Sequence, residues 1–194
     1  MSGAHAAAHA DSLPAQLQQA TGESVYECYQ CGKCTAGCPL AAEMDYAPNQ
    51  VLRMLQLGIP ELEEEVLSSL AIWLCLTCEQ CATRCPQEVE LPKIMDWLRQ
   101  QAQARGTVHP GAKDILAFHE AFLAQVKKHG RLYEVGLVSQ YKLKTGHLLQ
   151  DVLLAPKMLT RGKLGLLPKG NEGKEAVGRI FEKVANSEAI KSSK

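Results

Sequence analysis

The chain has 194 residues, its 21 lysines and arginines are balanced by 21 aspartates and glutamates, and 46% of its residues are hydrophobic. A zero net charge argues against a protein whose main task is to coat nucleic acid, and so many apolar residues exclude a chain that is disordered throughout. The length suits one domain with an extension, and the eight cysteines require an explanation.

The first 23 residues are rich in Ala, His and Gln and are expected to form a partly mobile N-terminal arm (1–23). Leu13 and Leu17 lie four positions apart and could pack on one face of a short helix that ends before Gly22. The arm lacks the basic and apolar regions of a signal peptide. We therefore expect a cytoplasmic protein, where clustered cysteines bind metal more readily than they form disulfides.

The first cysteine run has the spacing C-x2-C-x2-C-x3-C-P and comprises Cys28, Cys31, Cys34 and Cys38, followed by Pro39. This spacing is typical of bacterial ferredoxins. In those proteins three closely spaced thiolates bind one [4Fe–4S] cluster, and the cysteine before the proline binds the other cluster. The residues between the cysteines are mostly small or polar, so backbone N–H groups can approach the sulfur atoms.

The segment between the two cysteine runs is predicted to be helical. Pro48 is expected to open a helix that ends at Gly58, and Pro60 a second helix that continues into the second cysteine run. The apolar stretch 66–78 is shorter than the roughly 20 residues that a membrane span requires, so no span is expected. Because β-branched residues are sparse and do not alternate with polar ones, the fold class is predicted to be all-α.

The second cysteine run repeats the spacing of the first and uses the remaining cysteines, Cys75, Cys78, Cys81 and Cys85, before Pro86. We predict two [4Fe–4S] clusters with crossed ligands. Cluster 1 is assigned to Cys28, Cys31, Cys34 and Cys85, and cluster 2 to Cys75, Cys78, Cys81 and Cys38. Zinc and disulfides are the alternatives, but zinc sites usually draw cysteines from separated C-x2-C pairs. Trp73 and Trp97 flank this run and are expected to seal it from water.

A helix from Pro92 to Gly106 is expected to complete a helical two-cluster ferredoxin domain over residues 24–106. Lys33 and Arg84 lie inside the cysteine runs, where ordinary solvated charge is favoured over a role in raising a cluster potential. The sequence contains no glycine-rich nucleotide motif. Because every cysteine is assigned to a cluster, we expect no catalytic residue.

Residues 107–194 are expected to form a mostly helical C-terminal extension. Helices are predicted from Pro110 to Gly130 and from Lys174 to Val184, with short amphipathic pieces between them that Gly136, Gly146 and Pro156 interrupt, and with an extended stretch at 161–168. These pieces are too short to indicate a substantial core of their own. We therefore expect their apolar faces to dock partner subunits, with packing on the ferredoxin domain as the alternative.

Residues 29–39, the helical spacer and residues 74–86 together resemble the C subunit of heterodisulfide reductase, and segments 130–134 and 161–164 resemble the extension of its bacterial relatives. The cysteine runs alone are less specific. Iron–sulfur subunits of the succinate dehydrogenase and anaerobic glycerol-3-phosphate dehydrogenase types have similar helical cluster domains.

The resemblance implies an electron-transfer protein without an active site of its own. In that family, the C subunit relays electrons from the A subunit, which carries flavin and iron–sulfur clusters, to the B subunit, which reduces a disulfide. The adjacent-cysteine motifs of the B subunit are absent from this sequence. A free soluble ferredoxin is the alternative function, although such a carrier has no need of residues 107–194.

Overall fold

The computed structural model describes residues 12–148, 155–161, 167–168 and 171–192. Within these ranges the regular secondary structure is helical and no strand is present, so the predicted all-α class is confirmed. The chain divides into two compact units, residues 1–112 and residues 113–194.

The first unit is built from short helices punctuated by proline and glycine. They are α1 (Leu13–Thr21), α2 (Lys33–Ala36), α3 (Pro48–Leu57), α4 (Pro60–Leu67), α5 (Ala71–Leu74), α6 (Gln80–Arg84) and α7 (Leu91–Arg105), with 3₁₀ turns at Val25–Glu27 and Pro110–Ala112. Proline occupies one of the first two positions of α1, α3, α4 and α7, where its missing N–H leaves no helical bond unmade. The helices predicted to end at Gly58 and Gly106 are confirmed as α3 and α7.

Helix α1 places residues 13–21 of the expected N-terminal arm against the rest of the first unit. Leu13 and Leu17 are fully buried, and α1 packs on α7 and α3. The backbone N–H of Leu13 donates a hydrogen bond of 3.0 Å to Oε2 of Glu63, which is itself buried. This carboxylate satisfies an unpaired donor at the positive end of α1, so the helix is fastened both by apolar packing and by charge.

The single helix predicted from Pro60 into the second cysteine run is interrupted between α4 and α5. The hydroxyl of Ser68 donates to the carbonyl of Glu64 at 2.9 Å, and that of Ser69 donates to the carbonyl of Val66 at 2.7 Å. Hydroxyls bonded in this way compete with the backbone ladder of a helix. The prediction of one continuous helix was wrong because it followed the apolar periodicity and did not include the effect of these two serines on the helix.

The core of the first unit is aliphatic and is contributed by all four of the proline-opened helices and by α5. Its fully buried larger side chains are Leu13, Leu17, Val25, Val51, Leu55, Val66, Leu67, Ile72, Ile94, Met95 and Leu98. Burial of one such side chain contributes about 1.5–3 kcal/mol. This core holds the ends of α3, α5 and α7 together, and the cysteine runs lie beside those ends.

The second unit comprises α8 (Lys113–His129), α9 (Glu134–Thr145), α10 (Ala155–Thr160) and α11 (Lys174–Ser192), and α8 packs against both α9 and α11. Helix α11 continues past the expected end at Val184. Most of the predicted extended stretch at 161–168 lies outside the described residues.

Gly136 lies inside α9 and does not interrupt it, contrary to the prediction. A Cβ atom at this position would collide with the side chains of Gln125 and Tyr133. Gln125 is buried and donates to the side-chain oxygen of Gln140 at 2.9 Å. Glycine is therefore needed for the close approach of α8 to α9.

The described part of the second unit buries few side chains and exposes many apolar ones. Those buried are Ala121, Gln125 and Leu137. The exposed large apolar residues are Phe118, Phe122, Leu123, Val138, Leu143, Leu148, Met158, Leu167, Ile180 and Val184. Exposed apolar surface of this extent commonly marks a protein interface. Across the ranges that the structure describes, no helix combines the length and apolar character needed to cross a membrane.

Candidate metal centre

The two cysteine runs share a backbone pattern as well as a spacing. Gln30 and Gly32 in the first run have φ of 64° and 75°, and Thr77 and Glu79 at the matching positions of the second run have φ of 51° and 60°. Three of these four residues are not glycine, which is unusual for the left-handed region. Left-handed residues next to right-handed ones turn successive N–H groups into a concavity that suits an anion.

One cavity is lined by Cys28, Cys31 and Cys34 of the first run together with Cys85 and Cys81 of the second. The remaining lining residues include the apolar side chains Leu52, Val89 and Leu91. Cys85 therefore faces the thiols of the other run, as the crossed assignment requires of cluster 1.

A second cavity is lined by Cys75, Cys78 and Cys81 of the second run together with Cys38 of the first. The other lining side chains are mostly apolar and include Leu40, Met44, Leu74, Leu76, Leu91, Pro92 and Met95. Cys81 and Leu91 line both cavities, so the two cavities are neighbours. Trp73 and Trp97 are buried but line neither cavity, so the leucines and methionines provide the apolar cover expected of the tryptophans.

All eight cysteines are free thiols, and burial is incomplete at each of them. Partial burial raises the pKa of Cys34, Cys75 and Cys81, in the last case to about 11. A thiol with such a raised pKa is protonated at neutral pH unless a metal deprotonates it. Free thiolate chemistry is therefore disfavoured at Cys34, Cys75 and Cys81.

The donor set fits a cluster better than a single ion. Within the described ranges, no group of three or more His, Cys, Asp or Glu side chains is placed to hold a metal ion. A tetrahedral zinc ion needs four ligands converging to about 2.3 Å from one point. Here the sulfur donors instead come from two runs and line two neighbouring pockets with mostly apolar walls, an arrangement that suits iron–sulfur clusters ligated at their corners.

Side chains from the two long helices beside the site hold the first cysteine of each run. Nε2 of Gln56 on α3 donates to the carbonyl of Cys28 at 2.6 Å, and the guanidinium of Arg99 on α7 donates to the carbonyl of Cys75 at 3.0 Å. Arg99 also pairs with Asp96. Sequence reasoning missed Gln56 and Arg99, since each is more than 20 positions from the cysteine that it supports and belongs to no motif.

Thr35 fastens the first run to the start of α3. Its hydroxyl donates to Oδ1 of Asn49 at 2.5 Å and accepts from the backbone N–H of Asn49 at 3.1 Å. Arg84 of the second run remains exposed, but its side chain crosses Gly37 so closely that a Cβ atom there would lie 2.8 Å from the Arg84 Cδ atom. Arg84 therefore covers the first run directly, while Lys33 is exposed.

Asp45 sets the position of the second run. Its two carboxylate oxygens accept the backbone N–H groups of Leu70 and Ala71, each at 2.7 Å. These donors begin α5, and α5 leads directly into Cys75. A carboxylate at a helix start satisfies free donors and complements the helix dipole.

Asp45→Ala is expected to lower the free energy of unfolding by about 1–2 kcal/mol, the usual effect of losing such a cap. It is also expected to lower the iron content of cluster 2, because α5 no longer holds Cys75 in place. Denaturant unfolding and iron analysis of the same anaerobic preparation measure both effects. Glu43→Ala, at an exposed carboxylate two positions away, is the control. Equal behaviour of the two variants would contradict the role of Asp45.

Residues 24–89, which include all eight cysteines, match the family of 4Fe–4S dicluster domains. Residues 24–89 are therefore similar to iron–sulfur domains of the electron-transfer class. Beyond this class, the chain is similar to the C subunits of heterodisulfide reductases, which are oxidoreductases, as the following relatives show.

The C subunit of the H(2):CoB-CoM heterodisulfide,ferredoxin reductase of Methanothermobacter thermautotrophicus is 33% identical over 103 residues, which are 53% of this chain and 54% of the relative. The iron–sulfur C subunit of the CoB–CoM heterodisulfide reductase of Methanopyrus kandleri is 34% identical over 124 residues, 64% of this chain and 51% of the relative. The corresponding C 2 subunit of Methanocaldococcus jannaschii is 40% identical over 86 residues, 44% of each chain. The chain spans about half the length of the curated relatives it matches.

Proposed function

We propose that the protein is the electron-transfer subunit of a heterodisulfide-reductase-type complex. In this role it relays single electrons from an A subunit with flavin and iron–sulfur clusters to a B subunit that reduces a disulfide. The observation that carries the proposal is the pair of neighbouring cavities, each of which is lined by three cysteines of one run and by the last cysteine of the other, with Cys81 lining both. The names of the relatives support the kind of complex.

In this proposal Cys28, Cys31, Cys34 and Cys85 hold cluster 1, and Cys75, Cys78, Cys81 and Cys38 hold cluster 2. Each cluster, when bound, accepts and releases one electron at a time. The cysteines supply thiolates, and the apolar lining limits the access of water. Because the crossed cysteines tie the two runs together, both sites stay close and rigid, which favours electron transfer between them.

The proposal assigns the cluster-binding role to residues 24–106 and the docking of the A and B subunits to residues 107–194. The second role rests on the exposed apolar side chains of the second unit. No residue is proposed as catalytic, because each cysteine has a ligand role. Clustered cysteines bind metal more readily than they form disulfides in a reducing compartment, which we propose to be the cytoplasm.

Anaerobic purification of the tagged protein from its native host tests this function. We expect about eight iron atoms per chain, four for each cluster, together with the broad visible absorption of iron–sulfur centres. We also expect a flavoprotein and a second iron–sulfur protein to copurify with it. Zinc in place of iron would contradict the cluster assignment, and a loaded but isolated monomer would contradict the complex and favour a free carrier.

A further inference from the structure

Gln56 anchors a small hydrogen-bond network beside Cys28. Its Nε2 atom donates to the carbonyl of Val25 at 2.8 Å and to the carbonyl of Cys28 at 2.6 Å. A side-chain amide has only two N–H donors, so both are used. The oxygen of the Gln56 amide therefore faces the opposite direction and is left as an acceptor.

This oxygen fixes the orientation of Gln30. Oε1 of Gln56 accepts from Nε2 of Gln30 at 3.3 Å and from the guanidinium of Arg53 at 3.5 Å. The orientation of a side-chain amide is normally assigned from its hydrogen-bond partners. Because Oε1 of Gln56 can only accept, the group of Gln30 that faces it must be the NH₂ group. The same Nε2 atom lies 3.5 Å from Sγ of Cys28, which gives an N–H···S hydrogen bond.

Gln30 also has an unusual backbone conformation, with φ of 64°. A left-handed residue other than glycine persists where its surroundings hold it, and the contacts with Gln56 and Cys28 do so here. Thr77 occupies the matching position of the second run with φ of 51°. Its hydroxyl donates to the carbonyl of Leu76 at 2.7 Å and not to a cysteine sulfur. The sulfur of Cys75 accepts instead from the backbone N–H of Thr77. The two loops therefore differ in the kind of donor, which is a side-chain amide at Cys28 and a backbone N–H at Cys75.

We infer that Gln30, held by Gln56, is a positioning residue that raises the reduction potential of cluster 1. This inference rests on the proposed function, since it requires Cys28 to be a cluster ligand. Reduction adds negative charge to the ligand sulfurs, and a hydrogen bond to sulfur stabilises the more negative state. Loss of the donor is thus expected to make cluster 1 harder to reduce.

The test is an EPR-monitored redox titration of the intact protein under anaerobic conditions. Gln30→Met keeps the length of the side chain, and Met must adopt the same positive φ as Gln30. The substitution removes the N–H donor. We expect the equilibrium constant for reduction of cluster 1 to fall up to tenfold, and tenfold corresponds to about 59 mV for one electron. Gln30→Glu, which places an anion beside the sulfur, is expected to shift the potential further in the same direction.

Two further variants keep the test decisive. Glycine adopts a positive φ freely, and Gln30→Gly also lacks the donor. If the Met variant fails to load iron, the same shift of the potential of cluster 1 can be measured in the Gly variant. Thr77→Val is the matched control in the second run and is expected to leave the potential of cluster 1 unchanged. If the donor-free variants carry both clusters and the potential of cluster 1 is unchanged or raised, the inference about Gln30 is wrong, whereas the proposed function is unaffected. A wild-type protein without iron–sulfur signals would overturn the proposed function itself.

Discussion

Cys85→Ala is expected to abolish cluster 1, and Cys38→Ala is expected to abolish cluster 2, although each cysteine belongs to the run that supplies the other cluster. Cys85 lines the cavity of Cys28, Cys31 and Cys34, whereas Cys38 lines the cavity of the second run. Loss of one of four thiolates leaves an iron without its protein ligand. The iron content is therefore expected to fall from about eight to about four atoms per chain.

The two variants must differ in which cluster remains. EPR spectra of the reduced proteins should show that Cys85→Ala matches Cys28→Ala and that Cys38→Ala matches Cys75→Ala. Thr83→Ala, in α6 two positions before Cys85, is the control and should retain both signals. If Cys85→Ala instead matched Cys75→Ala, each run would hold its own cluster and the crossed scheme would be wrong.

The features that the sequence could predict are those set by short-range patterns. The cysteine spacing alone predicted two groups of four thiols, because the loop geometry of a cluster site depends on how few residues separate its ligands. That assignment stays a prediction, which the cysteine variants above test. Pro48 with Gly58, and Pro92 with Gly106, bounded α3 and α7 correctly. Both residue types act through their own backbone geometry, which does not depend on the rest of the fold.

The features that the sequence could not predict depend on residues brought together by folding. Asp45 begins α5 from 25 positions away, and Glu63 meets the start of α1 across 50 positions. Neither residue stands in a recognisable capping sequence, since the donors belong to another segment. The same holds for Gln56 and Arg99, whose roles become visible only when α3 and α7 lie beside the cysteine runs.

The two candidate cluster sites match in backbone but differ in electrostatics. At the first run, the carbonyl of Cys28 is held by the neutral amide of Gln56, and its sulfur accepts from Gln30. At the second run, the carbonyl of Cys75 is held by the cationic Arg99. Cluster potentials depend on nearby charge and on hydrogen bonds to sulfur. Under the proposed function, such differences are expected to give the two clusters unequal potentials.

Leu143→Glu combined with Ile180→Glu is expected to weaken binding to the partner subunits at least tenfold without loss of iron. These side chains are 77% and 60% exposed on α9 and α11. Burying one large apolar side chain at an interface contributes about 1.5–3 kcal/mol, and about 1.4 kcal/mol is a tenfold change in affinity. A buried carboxylate without a partner opposes docking further.

Copurification of the flavoprotein, measured against the iron content of the same sample, separates docking from cluster loading. Gln103→Glu adds one negative charge, against two in the double variant, at an exposed position of the first unit and should bind the partners normally. A chain that ends at Ala112, the boundary of the first unit, is expected to keep both clusters and to lose the partners. Retention of the partners by that shortened chain would place docking on the first unit. The exposed apolar side chains of α8, α9 and α11 would then need another explanation.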